Sequence, residues 1–302
     1  MNVPFATTTR LLLALALSTL PLMAGADTLE RVRSSHTFTL GYMPDLAPFS
    51  KQEGDKANGY AIDLCLKIAD KLKSELGLPD LKVRYQPVQV SEQVSAVSQG
   101  KVDILCTPTP PTLERRKMIS YSIPIYTAGL SVVVRKDAAA PLLNVLNGQV
   151  AYTGPTWRAS INNGLANQTY ATLEGGVTED WIRERMRLLN VIASLVTVDN
   201  TDQGIKLVAE GKADAFFSER MLLRNEITKE GAARNLMVLD RIFEYSPVAM
   251  MVDRNDEDFR LLVDTALSEA YSSGAIEKGY DQYLGGTDDT VKKLFRVYAL
   301  PR

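Results

Sequence analysis

The chain alternates short β-like runs with stretches whose apolar residues recur at helical spacing. Phe38-Thr39-Leu40-Gly41-Tyr42 reads as a strand, followed by Pro44, Pro48 and a turn around Gly54-Asp55. From Tyr60 to Leu76 the residues Ile62, Leu66, Ala69 and Leu72 mark one helical face, with Lys67, Asp70 and Lys73 between them and Gly77 as the stop. Leu81 to Val88 reads as a strand and Ser91 to Ser98 as a short helix ended by Gly100. Val102 to Cys106 reads as a buried strand entering a proline-rich loop. Leu130 to Val134 is a continuous apolar β run, after which the scheme repeats.

In the repeat, Gly148 to Tyr152 reads as a strand and Gly154 to Thr156 as a turn opening a helix. Leu195 to Val198, Ala213 to Phe217 and Val248 to Val252 read as strands, and Gln203 to Glu210 as a helix stopped by Gly211. An amphipathic helix follows from Asp258 to Ser272, with Phe259, Leu262, Val263, Ala266 and Leu267 on one face, and a last helix runs from Ile276 to Leu284. Two α/β units with one long apolar strand passing between them predict two lobes joined by a hinge, with a ligand cleft between them.

The N-terminus changes the picture of where the protein works. Arg10 precedes an apolar run from Leu11 to Leu17 that continues through Leu20 to Met23, too short to span a bilayer, and Ala24-Gly25-Ala26 follows. Residues 1–26 are read as a removed signal peptide, which places the mature chain in the periplasm; an uncleaved anchor or a buried helix is the other reading of the same run. No later stretch is long and apolar enough for a membrane helix.

Without that segment the chain carries 33 basic and 36 acidic side chains, which argues against nucleic acid as a partner. One histidine, His36, and two cysteines leave no expected metal site or cofactor, and hydrolysis by a Ser, His and Asp constellation would rest on His36 alone. An even cysteine count in an exported chain predicts a disulfide, Cys65–Cys106. It would close a loop of about 40 residues, worth roughly 4 kcal/mol; two buried free thiols are the alternative.

Several stretches in order resemble the bacterial extracellular solute-binding protein family 3, the periplasmic amino-acid receptors of ABC importers. They are Gly41 with Ala47-Pro48-Phe49-Ser50, Asn58-Gly59-Tyr60-Ala61-Ile62-Asp63-Leu64-Cys65, and Gly100-Lys101-Val102-Asp103-Ile104-Leu105-Cys106. Next come Thr112-Leu113-Glu114-Arg115-Arg116-Lys117 and Ile119-Ser120-Tyr121-Ser122-Ile123-Pro124, then Gly211-Lys212-Ala213-Asp214-Ala215-Phe216-Phe217, and finally Asp258-Phe259-Arg260-Leu261-Leu262-Val263-Asp264. The resemblance implies a type II periplasmic-binding-protein fold, α/β, each lobe a mostly parallel sheet flanked by helices. Lobe 1 is then 27–128 with 247–302, and lobe 2 is 129–246. It also implies that Cys65 and Cys106 pair, that the partner is a membrane permease of an ABC transporter, and that the protein is a monomeric receptor and no enzyme.

The same resemblance assigns the site. A zwitterion needs paired opposite charges to replace its water. Arg115 would grip the carboxylate with its two-donor fork, unless it is merely solvated at a helix start, while Arg116 is a surface charge or a lobe contact. Thr107 and Thr109 would assist, because Pro108 and Pro110 stand where many relatives donate amides. Thr156 would meet the carboxylate from the second lobe or serve only as a helix cap. Glu219 stands where most relatives place the aspartate that holds the ammonium; it either keeps that role or pairs with Arg220. Tyr42, Met43 and Leu46 form a pocket wall or belong to the core.

Met43 and Leu46 offer no charge to a ligand side chain, so an uncharged one is expected. Two other functions share the fold: a cyclohexadienyl dehydratase-like enzyme with Glu219 as its acid, and a receptor that signals to a membrane sensor.

Overall fold

A computed structural model describes residues 27–149, 164–228, 234–287 and 289–301. The expected signal peptide lies outside these residues. The described chain opens with α1 (Thr28–Ser35) and β1 (Thr37–Tyr42), then β2 (Asp45–Leu46), β3 (Ser50–Glu53) and β4 (Lys56–Asn58) form a small three-stranded sheet where only a turn was expected. The prolines and the Gly54 turn favour this folding-back of a polar stretch.

Gly59 caps the next helix at φ +135°, and a Cβ there would meet Phe49 O at 2.4 Å, so glycine is required. Helix α2 (Tyr60–Leu76) buries Ile62, Cys65, Ile68, Ala69 and Leu72 and ends at left-handed Gly77, whose N–H returns to Lys73 O. After β5 (Lys82–Pro87) come α3 (Gln93–Ser98) and β6 (Ile104–Thr109). β6 runs through Pro108, farther than the predicted loop boundary; β13 pairs with it irregularly between Ala249 and Met251, and such irregular pairing tolerates a residue without an N–H.

β7 (Ile119–Tyr121) leads to β8 (Tyr126–Arg135), which enters the second half of the strand order. There α4 (Ala140–Leu146), β9 (Thr169–Leu173), α5 (Val177–Leu189), β10 (Ser194–Val198), α6 (Thr201–Ala209), β11 (Ala215–Glu219), α7 (Arg220–Ile227) and β12 (Leu236–Val238) follow. β13 (Glu244–Asp253) returns, and α8 (Glu257–Ser272), α9 (Ala275–Tyr283) and α10 (Asp289–Tyr298) close the chain. The expected strand at Gly148–Tyr152 and turn at Gly154–Thr156 fall wholly or mostly outside the described residues. β9 and α5 were not anticipated.

The sheet order is β10-β9-β11-β8-β13-β6-β1-β5. β1 is parallel to β5 and β6, and β9 is parallel to β10 and β11, as in α/β layers. Two strands, and not one, cross between the halves: residues 126–130 of β8 lie antiparallel to 244–248 of β13. Phe38, Leu40, Ile68 and Phe259 belong to one apolar core, whereas Val132, Val134, Ala215 and Phe217 belong to another. Cys65 and Cys106 form a disulfide that ties α2 to β6.

Candidate functional site

β6 delivers Thr107 and Thr109 to the space between the halves. Thr109 Oγ1 donates to Thr107 O at 3.2 Å, while the buried Thr107 Oγ1 has no partner among the described residues. Pro110 and Pro111 then lead to Thr112, whose Oγ1 accepts from the Arg115 N–H at 3.2 Å and starts a 3-10 turn over Arg115–Lys117. That turn aims two neighbouring guanidiniums differently. Arg116 lies over the Tyr121 ring at 5.5 Å, and Arg115 lines the cleft, donating through Nη2 to Gly175 O of the opposite half at 3.3 Å.

The cleft is a cavity of about 380 Å³, within the usual size of a small-molecule site. Its first wall carries Met43, Leu46, Phe49 and Val90, and Gln93 Nε2 donates to Met43 Sδ at 3.1 Å. Tyr42 is absent from that wall. It is 2% exposed and packs edge-on to Tyr85 at 6.5 Å, because consecutive residues of an extended chain face opposite ways and Met43 takes the cleft side.

The second wall contains a segment the sequence reading overlooked. Strand β9 presents Thr172 and Leu173, the chain turns at Gly175-Gly176, and α5 begins with Val177, Thr178 and Trp181 on the cavity. Gly176 supplies no side-chain cap, so the first-turn N–H groups of α5 have no side-chain acceptor at the cap position. Glu179 instead folds back to accept the Gly175 N–H at 3.0 Å. A glycine pair after an alternating run, followed by Thr178-Glu179-Asp180, was the available signal for a strand-turn-helix unit. Thr156, expected in that role, lies outside the described residues.

Glu219 ends β11 and caps α7. Its Oε2 accepts the N–H of Met221 at 2.6 Å and of Leu222 at 3.0 Å, and its Oε1 accepts the Tyr126 hydroxyl at 3.1 Å. Burial outweighs those donors and pushes the carboxyl up to about 7. Arg220 does not pair with it: its guanidinium reaches Asp240 at 3.1 Å, so Glu219 stays on the cleft. Among the described lining residues Arg115 is the single cation, set against Glu219 and the exposed Glu244. A second cavity of about 420 Å³ shares Met43, Leu46, Val90 and Leu173 and is edged by Asp45, Glu174 and Asp199.

A guanidinium from one half and a carboxylate from the other, facing a shared apolar cavity, suit a ligand with both charges. The sequence pattern of the bacterial extracellular solute-binding proteins, family 3, matches residues 38–286. The chain belongs to that family. This family-3 protein is 27% identical over 272 residues to an L-glutamate/L-aspartate-binding protein of Pseudomonas aeruginosa, covering 89% of this chain and 84% of the relative. It is 22% identical to the glutamate/aspartate import solute-binding protein of Escherichia coli K12, covering 86% and 80%.

Among solved structures, the ancestral amino acid-binding protein AncCDT-1, a precursor of cyclohexadienyl dehydratase, matches with a TM-score of 0.68 at 22% identity, covering 85% of this chain and 99% of that one. The cysteine-binding protein of Campylobacter jejuni matches with a TM-score of 0.68 at 18% identity, covering 87% and 96%. These likenesses establish the type II periplasmic-binding-protein fold.

Proposed function

We propose that this family-3 protein is an exported periplasmic receptor. It closes two lobes, 27–128 with 247–302 and 129–246, around one amino acid with an uncharged side chain, and as a monomer delivers it to the permease of an ABC importer. The observation that carries this is that Arg115 from one half and Glu219 from the other line one otherwise largely apolar cavity. Arg115 supplies charged donors to the ligand carboxylate, with Thr107 Oγ1 and the first turn of α5 as further donors. Glu219 takes the ammonium. Met43, Leu46, Phe49 and Trp181 enclose the side chain.

The curated relatives named above carry glutamate and aspartate in their names, and here the expectation departs from them. A second ligand carboxylate would find no second cation among the described lining residues, and Asp45, Glu174 and Asp199 at the adjoining cavity would repel it. The test is calorimetry of the secreted protein with each standard amino acid. Binding of an uncharged one, weakened about a hundredfold by Arg115→Ala, supports the reading; tighter binding of glutamate or aspartate defeats the side-chain assignment, and no binding at all defeats the receptor.

One observation favours a second reading. A carboxyl that holds its proton up to about pH 7 beside a bound carboxylate is equipped as a general acid. In a dehydratase-like reaction Glu219 would protonate the ring hydroxyl of a prephenate-like substrate so that it leaves as water, while the ring carboxylate departs as CO2 and its C–C bonding pair aromatises the ring; Arg115 would hold the side-chain carboxylate that stays. Turnover of prephenate, lost in Glu219→Gln, would establish it, and an inert substrate would remove it.

A further inference from the structure

The segment that enters β8 is held by phenolic hydroxyls. Tyr271 Oη donates to Pro124 O at 2.6 Å, Tyr60 Oη donates to Ile125 O at 2.6 Å, and Tyr298 Oη shares a 2.8 Å bond with Thr127 Oγ1. Between these grips stands Tyr126. Its ring lies 5.0 Å from that of Phe49 and 6.0 Å from that of Tyr280, which is itself backed by Phe295 at 5.0 Å. With ring and backbone both fixed, the Tyr126 hydroxyl has one direction open to it, and there it meets Glu219 Oε1 at 3.1 Å.

We propose that Tyr126 is the positioning residue of the ammonium site, holding Glu219 Oε1 against the cleft and tying it to the strand on which the lobes pivot. The proposal rests on the reading of Glu219 as the ammonium partner. Both oxygens of Glu219 are then oriented: Oε2 by the first turn of α7, and Oε1 by a phenol whose own ionisation burial suppresses, so that it remains a donor. A carboxylate fixed at both oxygens loses no rotamer freedom when the ligand arrives.

The groups facing Glu219 are Tyr126 from β8, Tyr280 from α9 behind it, and Arg220 on its own helix, engaged by Asp240. Arg115 and Glu244 share the cleft. Desolvation is the dominant influence and raises the carboxyl; the Leu222 N–H, the Tyr126 hydroxyl and the N–H groups of Met221 and Gly129 oppose it, Tyr126 being the one side chain among them.

The test is thermal unfolding of the ligand-free protein from pH 4 to 9, for the parent, Tyr126→Phe and Glu219→Gln. The native carboxyl keeps a proton that the unfolded chain releases in the ordinary carboxylate range. Stability contributed by Glu219 therefore falls as pH rises from that range to about 7, and is level above. Loss of the phenolic donor raises the native carboxyl further, so in Tyr126→Phe the fall should extend upward by half a pH unit or more; in Glu219→Gln it should vanish.

A phenol that only packs keeps its ring contacts in phenylalanine and would leave a curve parallel to the parent, which overturns the proposal. An amino acid found by calorimetry should also lose more affinity to Tyr126→Phe at pH 6 than at pH 8.5, and a pH-independent loss would count against positioning. If the parent binds no amino acid, the receptor reading falls, while the ligand-free curves still decide whether Tyr126 governs Glu219.

Discussion

In the proposed receptor Arg115 replaces the water around the ligand carboxylate, and among the described lining residues it is the only cation, so no neighbour there can substitute for it. Arg115→Ala is expected to weaken amino-acid binding by about 3 kcal/mol, roughly a hundredfold in Kd by calorimetry, with Arg115→Lys recovering part of it because lysine keeps charge but not the fork. Glu219 sets the pH dependence. The ligand ammonium requires the ionised carboxyl, whose native value is about 7, so affinity should be level above that pH and fall by up to about tenfold per unit below it, the opposite trend to stability. Calorimetry between pH 5.5 and 8.5 reads this directly; an affinity flat across the window would mean that Glu219 does not hold the ammonium. That Arg115 and Glu219 line the cleft was legible from the order of the family's motifs along the chain. Tyr126 was not, since its role depends on a hydroxyl reaching a side chain 93 positions away.

Among elements, β6 carries the hydroxyls of the site and is fastened to α2 by Cys65–Cys106 next to Thr107. Cys65→Ser with Cys106→Ser should cost about 2–5 kcal/mol in denaturant unfolding, with a correspondingly lower Tm. Helix α6 approaches β11 so closely that a Cβ on Gly204 would lie 2.3 Å from the Phe216 ring. Gly204→Ala is therefore expected to destabilise by about 1–3 kcal/mol in spite of its better helix propensity, measured by the same unfolding experiment. Helix α2 was readable because its apolar stripe has a single period and a glycine stop. The start of α5 was overlooked although its glycine pair marks a turn, and the importance of Thr178 and Trp181 comes only from the cavity they face.

On the scale of the molecule, β8 and β13 are the two strands that join the halves, and in the proposed receptor they are the hinge about which the lobes close. A bound amino acid should bridge Arg115 and Glu219 and shift the population toward the closed form. Small-angle scattering is expected to show a smaller radius of gyration with ligand, and no such change in Arg115→Ala. The alternation of strand and helix, the cysteine pair and the family's ordered motifs are properties of local spacing, and they alone sufficed for the α/β fold and the disulfide. Contacts between distant segments decided the rest. Tyr42 went to the core because its neighbour Met43 took the cleft side, Arg220 turned to Asp240 and left Glu219 on the cleft, and Gly176 opened α5 onto the cavity. Period and composition specify which face of an element is apolar; which polar groups meet across a cleft is set by how the lobes are placed, and that is a property of the folded chain.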